Sequence, residues 1–439
     1  MNRETRFRVS PGPAPRGAIA VPGDKSMTHR ALLLGALAEG ETLAAGPNRG
    51  ADCRATAAAL RRLGVPIEES AEGFLVRGSG GDLREAESPL DCGNSGTGAR
   101  LLAGLLAAEA FPSTIDGDAS LRRRPMRRVV EPLRAMGARI DGPDGGARLP
   151  LTIRGGSLRG IVHRTEVASA QVKTAVLLAG LRASGRTTVV EPSLSRDHTE
   201  RMIAYLGGRV EREGLRTTVE GGTRLRGARI EVGGDPSSAA FFVTAGLVVP
   251  GGEVVAEGIV DNPTRTAFLD VLERMGGRIE RERAETIGPE GRIHVRARAR
   301  ALCGTVIEGD EVPRLIDEIP ILAVAGALAE GVFEVRDAAE LRVKESDRIR
   351  LVVTMLRAFG VEAEERADGF VVRGGGALRG ARVASGGDHR IAMAAAIAGL
   401  AARGETIVEE TACVATSLPE FLALAADLGL GEALAEEEM

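Results

Sequence analysis

Two acidic residues and a few rare polar side chains are where this chain has chemistry to offer. Of its 57 basic residues only Lys25, Lys173 and Lys344 are Lys, and Gln171 is the sole Gln. Lys is a compact, titratable point charge, whereas Arg is a planar fork. Any one Lys could survive by chance, but a nearly purged residue type persists most readily where Arg cannot do its work. Lys25 is followed by Ser26, and Gln171 and Lys173 follow Ser169-Ala170. Lys344 precedes Glu345, and four residues on comes Arg348, a spacing that predicts one helix face. Further clusters are Asn94-Ser95-Gly96-Thr97, Asp317-Glu318, His389-Arg390 and the run Arg122-Arg123-Arg124. Taken singly, the Arg run is a solvated basic patch and KESDR a salt-bridged surface helix.

The elements that must position these residues form an internal repeat. An apolar, Ala-rich stretch recurs six times, centred on Ala36, Leu105, Leu181, Leu247, Ala327 and Leu400. Each is helix-length and apolar nearly all round, as in a helix buried on most sides. A β-branched run follows, then an amphipathic helix ending near Gly64, Gly137, Gly207, Gly276, Gly360 or Gly429, then a strand pair. Each unit reads βαβαββ. Six such units predict two domains of three, breaking near Gly233-Gly234: residues 1–22 with 235–439, and residues 23–234. The first 20 residues are expected to complete the last sheet of the later half.

Twelve residues before each centre stands Asp24, Gly93, Ser169, Asp235, Leu315 or Asp388, with Asn94 and Asp317 close to the two exceptions. These mark helix starts. The rare residues fall at this one level. Helix N-termini present free N–H groups and a positive dipole end. Cations placed there repel one another, so a ligand rich in phosphate and carboxylate is the economical reading, with the six starts converging on an interdomain cleft.

The 439 residues exceed one ordinary core. At 44% hydrophobic and 27% charged the composition is globular rather than disordered. A net charge of −4 and only 3% aromatics argue against nucleic-acid binding. Four scattered cysteines without a CxxC pair fit neither a zinc ribbon nor a disulfide framework, and point to a reducing, cytoplasmic setting. No long apolar run predicts a signal peptide or a membrane span.

A series of motifs covers the whole chain in order: GDKSMTHRALLLGAL at 23–37, GNSGTGARLLAGLL at 93–106, GDASLRRRPM at 117–126, SAQVKTAVLLAGL at 169–181, RDHTE at 196–200, NPTR at 262–265, LIDEIPILAVAGA at 315–327, LRVKESDRI at 341–349 and GGDHRIAMA at 386–394. It resembles the 3-phosphoshikimate 1-carboxyvinyltransferases, or EPSP synthases, and GDKS, SAQVK, RDHTE and NPTR resemble their class II branch. The resemblance implies an α/β fold, a two-domain inverted α/β barrel of the enolpyruvyl transferase kind, closing over its substrates. It implies transfer of the enolpyruvyl group of phosphoenolpyruvate to the 5-hydroxyl of shikimate 3-phosphate in aromatic amino-acid precursor synthesis. It further implies a monomer with no metal or organic cofactor.

Carried residue by residue, the resemblance sets Ser26, Ser169, Gln171 and the backbone of Ala170 at the shikimate phosphate, and Arg30 at its carboxylate. Arg196 would orient this substrate where other branches use a Tyr. Phosphoenolpyruvate would meet Lys25, Arg124, Gln171, Lys344, Arg348 and Arg390, with Asn94 and Gly96 in backbone reach. Lys25 and Lys344 would also touch shikimate 3-phosphate. Asp317 would act as base on the 5-hydroxyl, Glu345 would deliver and remove the proton on the methylene carbon, and Lys25 would follow the leaving phosphate. Lys173 receives no direct role.

Two departures stand out. VATSLPEF at 414–421 lacks the Lys that some members carry there, and Gly96 stands where glyphosate-tolerant class II enzymes tend to carry Ala. The related transferase acting on UDP-N-acetylglucosamine typically has Lys-Asn in place of Lys25-Ser26 and a Cys in the mobile loop, which GDASLRRRPM lacks. A polyanion-binding protein and a repeat scaffold for protein partners are the non-enzymatic alternatives. Neither explains rare Lys, Gln and Arg at one structural level.

Overall fold

The computed structural model describes residues 5–285 and 288–438. The chain forms two compact units. One comprises Met1–Pro22, Gly233–Thr286 and Gly291–Met439; the other comprises Gly23–Val232 and Ile287–Glu290.

Each unit holds three sheets built to one plan. An edge strand runs parallel to its neighbour, and two antiparallel strands follow. In Gly23–Val232, Leu90–Asp91 lies parallel to Pro112–Asp116, which pairs antiparallel with Leu151–Arg154, itself paired with Arg139–Asp141. The edge strand of this unit's first sheet arrives last in the chain: Leu225–Arg226 and Arg229–Glu231 lie parallel to Ala38–Ala45. In the other unit the N-terminus supplies two strands. Thr5–Val9 inserts between Thr406–Glu409 and Leu434–Glu438, and Arg16–Ile19 lies parallel to Glu253–Asp261. The expected completion of the last sheet by the N-terminal segment is observed, and Arg16–Ile19 also serves the fourth repeat.

The six apolar stretches are the helices Lys25–Leu37, Gly96–Leu106, Ala170–Leu181, Pro236–Val248, Ile319–Leu328 and His389–Ala401. Nearly every residue in them is buried, so apolar side chains on all faces are stabilised by packing. The last three pack on one another, while Gly96–Leu106 packs on both Lys25–Leu37 and Ala170–Leu181. Gly104 permits that approach, since a β-carbon there would stand 2.3 Å from the Ala175 carbonyl oxygen.

The six glycines closing the amphipathic helices all adopt positive φ, from 79° to 121°. An L side chain would be strained there, so these helices stop where the sequence places Gly. At the N-termini, Asp24, Ser169, Asp235 and Asp388 accept a backbone N–H as caps. Ser95, rather than Gly93 or Asn94, caps Gly96–Leu106. Ile319–Leu328 has no side-chain cap; Pro320 in its first turn removes one of the donors a cap would satisfy.

Candidate active site

In the unit Gly23–Val232, the starts of three buried helices bring most of the expected residues together. Lys25, half-buried, donates to Asp52 at 3.1 Å. Ser26 Oγ accepts from Arg196 at 3.1 Å. Arg30 is buried, and its guanidinium donates to Thr199 Oγ1 at 2.7 Å, Thr174 Oγ1 at 2.8 Å and the Ser26 carbonyl at 2.9 Å. It also reaches the Ala170 carbonyl at 3.5 Å. Ser26, Arg30, Ala170 and Arg196 thus form one cluster, with Lys25 preceding Ser26 in the chain and Ser169 capping the same helix that carries Gln171.

Beside them a second cluster is tied by Arg100. This Arg donates to Gln171 Oε1 at 2.7 Å, the Pro125 carbonyl at 3.0 Å and the Gly96 carbonyl at 3.4 Å. Gln171 in turn donates to Thr97 at 2.9 Å. Arg124 is buried and clasps Asn94, donating to its carbonyl at 3.0 Å and to its side-chain oxygen. Asn94 Nδ2 donates to Asp118 at 2.7 Å. Of the run Arg122-Arg123-Arg124, only Arg124 turns inward; Arg122 pairs with Asp116 and Arg123 is exposed.

Burial, with help from nearby Lys25 and Arg30, pushes the His29 imidazole down to about 3. His29 therefore stays neutral beneath the cations, hydrogen-bonded to Thr56 at 2.8 Å.

The other unit gathers the two expected acids around one guanidinium. Arg348, fully buried, donates to Asp317 at 2.9 Å, Glu345 at 2.6 Å and Asp388 at 2.9 Å. Arg390 donates to the Asp317 carbonyl at 3.1 Å, with its Nε 3.7 Å from the Asp317 carboxylate. Ser346 donates to Asp388 at 2.9 Å. Asp317, Lys344 and Glu345 are half-buried, while Arg348 and Arg390 are buried. Burial holds the Lys344 ammonium below its ordinary value; Asp317 and Glu345 oppose that shift and Arg348 adds to it.

Lys344 and Arg348 do not share a helix face. A 3-10 turn spans Ala339–Val343, and the helix begins only at Arg348, capped by Asp347, which accepts from the Arg350 N–H at 3.1 Å. Ser346-Asp347 offers the backbone a capping geometry instead of a continuous helix. Lys344 and Glu345 therefore stand on a loop.

The remaining motif residues are held in buried ion pairs. Lys173 is buried between Glu191 at 2.7 Å and Glu200 at 2.8 Å. His198 pairs with Glu290 at 2.8 Å, so a short segment beyond residue 234 belongs with this unit, although 235–439 was expected in the other. In NPTR, Arg265 donates to Asp235 at 2.8 Å and Ser237 at 3.1 Å, and Ser237 donates to Glu318.

Sequence reasoning missed Asp52, Arg100 and the second role of Asp388. Arg100 lies four residues after Gly96 in a quoted motif, so helical spacing alone could have placed it beside the helix start. Among the described residues no cluster of three His, Cys, Asp or Glu is arranged to hold a metal ion. No helix among them is long and apolar enough to cross a membrane.

In the unit Gly23–Val232 these clusters offer cations and N–H donors for phosphate and carboxylate; in the other, Arg348 and Arg390 accompany two carboxylates that can exchange protons. The family model for EPSP synthase (3-phosphoshikimate 1-carboxyvinyltransferase) matches residues 9–424. A 3-phosphoshikimate 1-carboxyvinyltransferase from Geobacter sulfurreducens is 52% identical over 94% of this chain and 97% of its own length. One from Acidithiobacillus ferrooxidans is 51% identical over 97% of this chain and 98% of its own. The solved EPSP synthase from Acinetobacter baumannii superposes with a TM-score of 0.87 at 41% identity, covering 99% of this chain and all of its own. The enolpyruvyl transferase NikO from Streptomyces tendae, at 18% identity and a TM-score of 0.78, shares the fold.

Proposed function

The chain belongs to the EPSP synthase family: it transfers the enolpyruvyl group of phosphoenolpyruvate to the 5-hydroxyl of shikimate 3-phosphate, releasing phosphate, and we propose that its residues divide the work as follows from their surroundings. Ser26, Ser169, the Ala170 backbone and Gln171 take the shikimate phosphate. Arg30 takes the carboxylate by exchanging an internal acceptor, and Arg196 orients the ring. Lys25, Arg124, Gln171, Lys344, Arg348 and Arg390 take phosphoenolpyruvate, with the backbone at Asn94 and Gly96.

The chemistry needs one proton placed on carbon and one removed from oxygen. Asp317 accepts the proton of the 5-hydroxyl as its oxygen bonds to C2 of phosphoenolpyruvate. The Glu345 carboxyl gives its proton to the methylene carbon, producing a tetrahedral adduct that still carries phosphate. The Glu345 carboxylate then takes a proton back from the new methyl group. The C2–O bond to phosphate breaks, the proton taken up by Asp317 passes to the departing phosphate, and Lys25 accompanies the leaving anion. Charge-assisted hydrogen bonds from Arg suit both phosphate and carboxylate, and positioned Asp and Glu carboxyls can serve as general base and general acid.

The observation that carries this reading is Arg348 donating to Asp317 and Glu345 together. One buried cation thereby sets the spacing of the two acids the reaction requires. We also assign the protein to the cytoplasm, on the scattered-cysteine pattern of its sequence. The test is phosphate release from phosphoenolpyruvate, expected only when shikimate 3-phosphate is added. Release driven by UDP-N-acetylglucosamine instead would reassign the acceptor.

A further inference from the structure

Lys173 is a charge that the mechanism above does not use. It sits in the first turn of the helix Ala170–Leu181, about half a turn from Gln171. The first turns of this helix serve three neighbours. Gln171 reaches Arg100 and Thr97, Thr174 reaches Arg30 and Thr199, and Lys173 reaches Glu191 and Glu200. Only 1% of Lys173 is exposed, so its ammonium is held by these carboxylates and not by water.

Glu191 and Glu200 bracket one segment. The strand Arg186–Val190 ends just before Glu191, and the helix His198–Tyr205 contains Glu200. Between them lie Arg196, which donates to Ser26, and Thr199, which accepts from Arg30. Most polar residues of the segment are buried: Ser193, Ser195, Asp197, His198 and Thr199. Ser195 donates to Glu191, and Thr217 donates to Glu200 at 3.4 Å. One ammonium therefore joins the entrance and exit of the loop that carries two contacts of the shikimate cluster.

We propose that Lys173 is a positioning residue for shikimate 3-phosphate: by bridging Glu191 and Glu200 it fixes the 191–200 segment, and so the placement of Arg196 at Ser26 and of Thr199 at Arg30. The inference rests on the assignment of Arg30 and Arg196 to that substrate. Its physical basis is that two buried carboxylates without their shared cation repel each other and seek water. The segment then has no electrostatic reason to keep its two ends together. Burial opposes the charge on Lys173, but Glu200 and Glu191 outweigh it and hold the ammonium above its ordinary value. The cation is thus retained throughout the working pH range.

The experiment is steady-state kinetics on the full chain for Lys173→Met, Lys173→Arg and Arg196→Ala, varying each substrate in turn. Lys173→Met is expected to raise KM for shikimate 3-phosphate about tenfold or more, and to leave KM for phosphoenolpyruvate within about twofold. Lys173→Arg, which keeps the charge, is expected to recover part of that loss. Arg196→Ala should give the same split. A purely structural Lys173 would lower the active fraction and the melting temperature with both KM values unchanged, and that result overturns the inference. An unchanged KM for shikimate 3-phosphate in Arg196→Ala would instead overturn the assignment beneath it, and the inference with it. Should Lys173→Met fail to fold, Glu200→Gln retains the Lys173–Glu191 pair and loosens only the helix-side anchor. It is expected to raise KM for shikimate 3-phosphate by about threefold to tenfold, and no change there overturns the proposal equally.

Discussion

Asp388 holds Arg348 with one carboxylate oxygen at 2.9 Å and, with the other, accepts the backbone N–H of Arg390 at 3.0 Å. One acid thus anchors two of the cations assigned to phosphoenolpyruvate. Burial pushes the Asp388 carboxyl up, but Arg348 outweighs it and holds the group below its ordinary value. Its contribution to stability is therefore fully present above the unfolded carboxylate value, about 3.9. It is lost as pH falls through the lower folded value. Asp388→Asn should cost about 3–5 kcal/mol, as breaking a buried ion pair does. Thermal melting from pH 7 downward checks this: the variant should lose part of the acid dependence that the natural chain shows.

Glu345→Gln keeps the side chain's shape and an oxygen for Arg348, but removes the proton that must move. Turnover should fall by roughly 10²–10⁴-fold, with both KM values largely kept. Turnover near that of the natural chain would move the carbon protonation to another group.

Lys344 binds anions only while protonated, and burial lowers its affinity for that proton. The alkaline limb of kcat/KM for phosphoenolpyruvate should accordingly fall at a pH below the ordinary Lys value of 10.5. Lys344→Arg, which does not deprotonate in this range, should carry the limb upward. An identical limb in both proteins would assign it to a different group.

Gly96 is a place where one methyl group has consequences. A β-carbon there would stand 2.9 Å from Arg100 Nη1 and 3.1 Å from Arg124 Nη1, the ends of two flexible side chains. Gly96→Ala therefore displaces the Arg100 guanidinium and presses on the Arg124 guanidinium that clasps Asn94, without striking backbone. Glyphosate is longer than phosphoenolpyruvate and should feel that shift more. The expected penalty is about 1–3 kcal/mol, enough for about tenfold or more in its inhibition constant, with a smaller rise in KM for phosphoenolpyruvate. The natural chain should be inhibited more readily than Ala-bearing relatives. Inhibition against varied phosphoenolpyruvate decides both points, and strong tolerance in the natural chain would point instead to the stretch 414–421, which has no Lys.

What could be read in the sequence was what local rules govern. Gly64 and its five counterparts end helices because their φ requires Gly, and Asp24, Ser169, Asp235 and Asp388 begin them because a short polar side chain reaches a free N–H. The meeting of Glu345 with Arg348, three residues apart, was legible in the sequence; that of Asp317 with Arg348 was not. Asp317 lies 31 residues before Arg348, and their joining depends on a packing that no spacing encodes. The same holds for Lys173, whose buried counter-charges lie 18 and 27 residues away. At Lys344–Arg348 the i, i+4 spacing predicts one helix, but Asp347 caps a helix that begins only at Arg348.

The strand Thr5–Val9 lies between Thr406–Glu409 and Leu434–Glu438, and Arg6 is in register with Glu437. A ribosome making 5–20 residues per second needs on the order of 20–90 s to bring those partners into being. Throughout that interval Phe7 and Val9, which end almost fully buried, have no sheet to join. By contrast, all three sheets of the unit Gly23–Val232 lie between residues 38 and 231, so that unit can mature while its companion is still being synthesised. Chains stalled on the ribosome after about residue 320, with the exit tunnel cleared, should resist protease over 23–232 and be cut elsewhere; uniform sensitivity would mean the two units fold as one. The strand Thr5–Val9 can thus be placed only after residues 406–438 exist, and its exposure to aggregation lasts as long as the stretch between them takes to make.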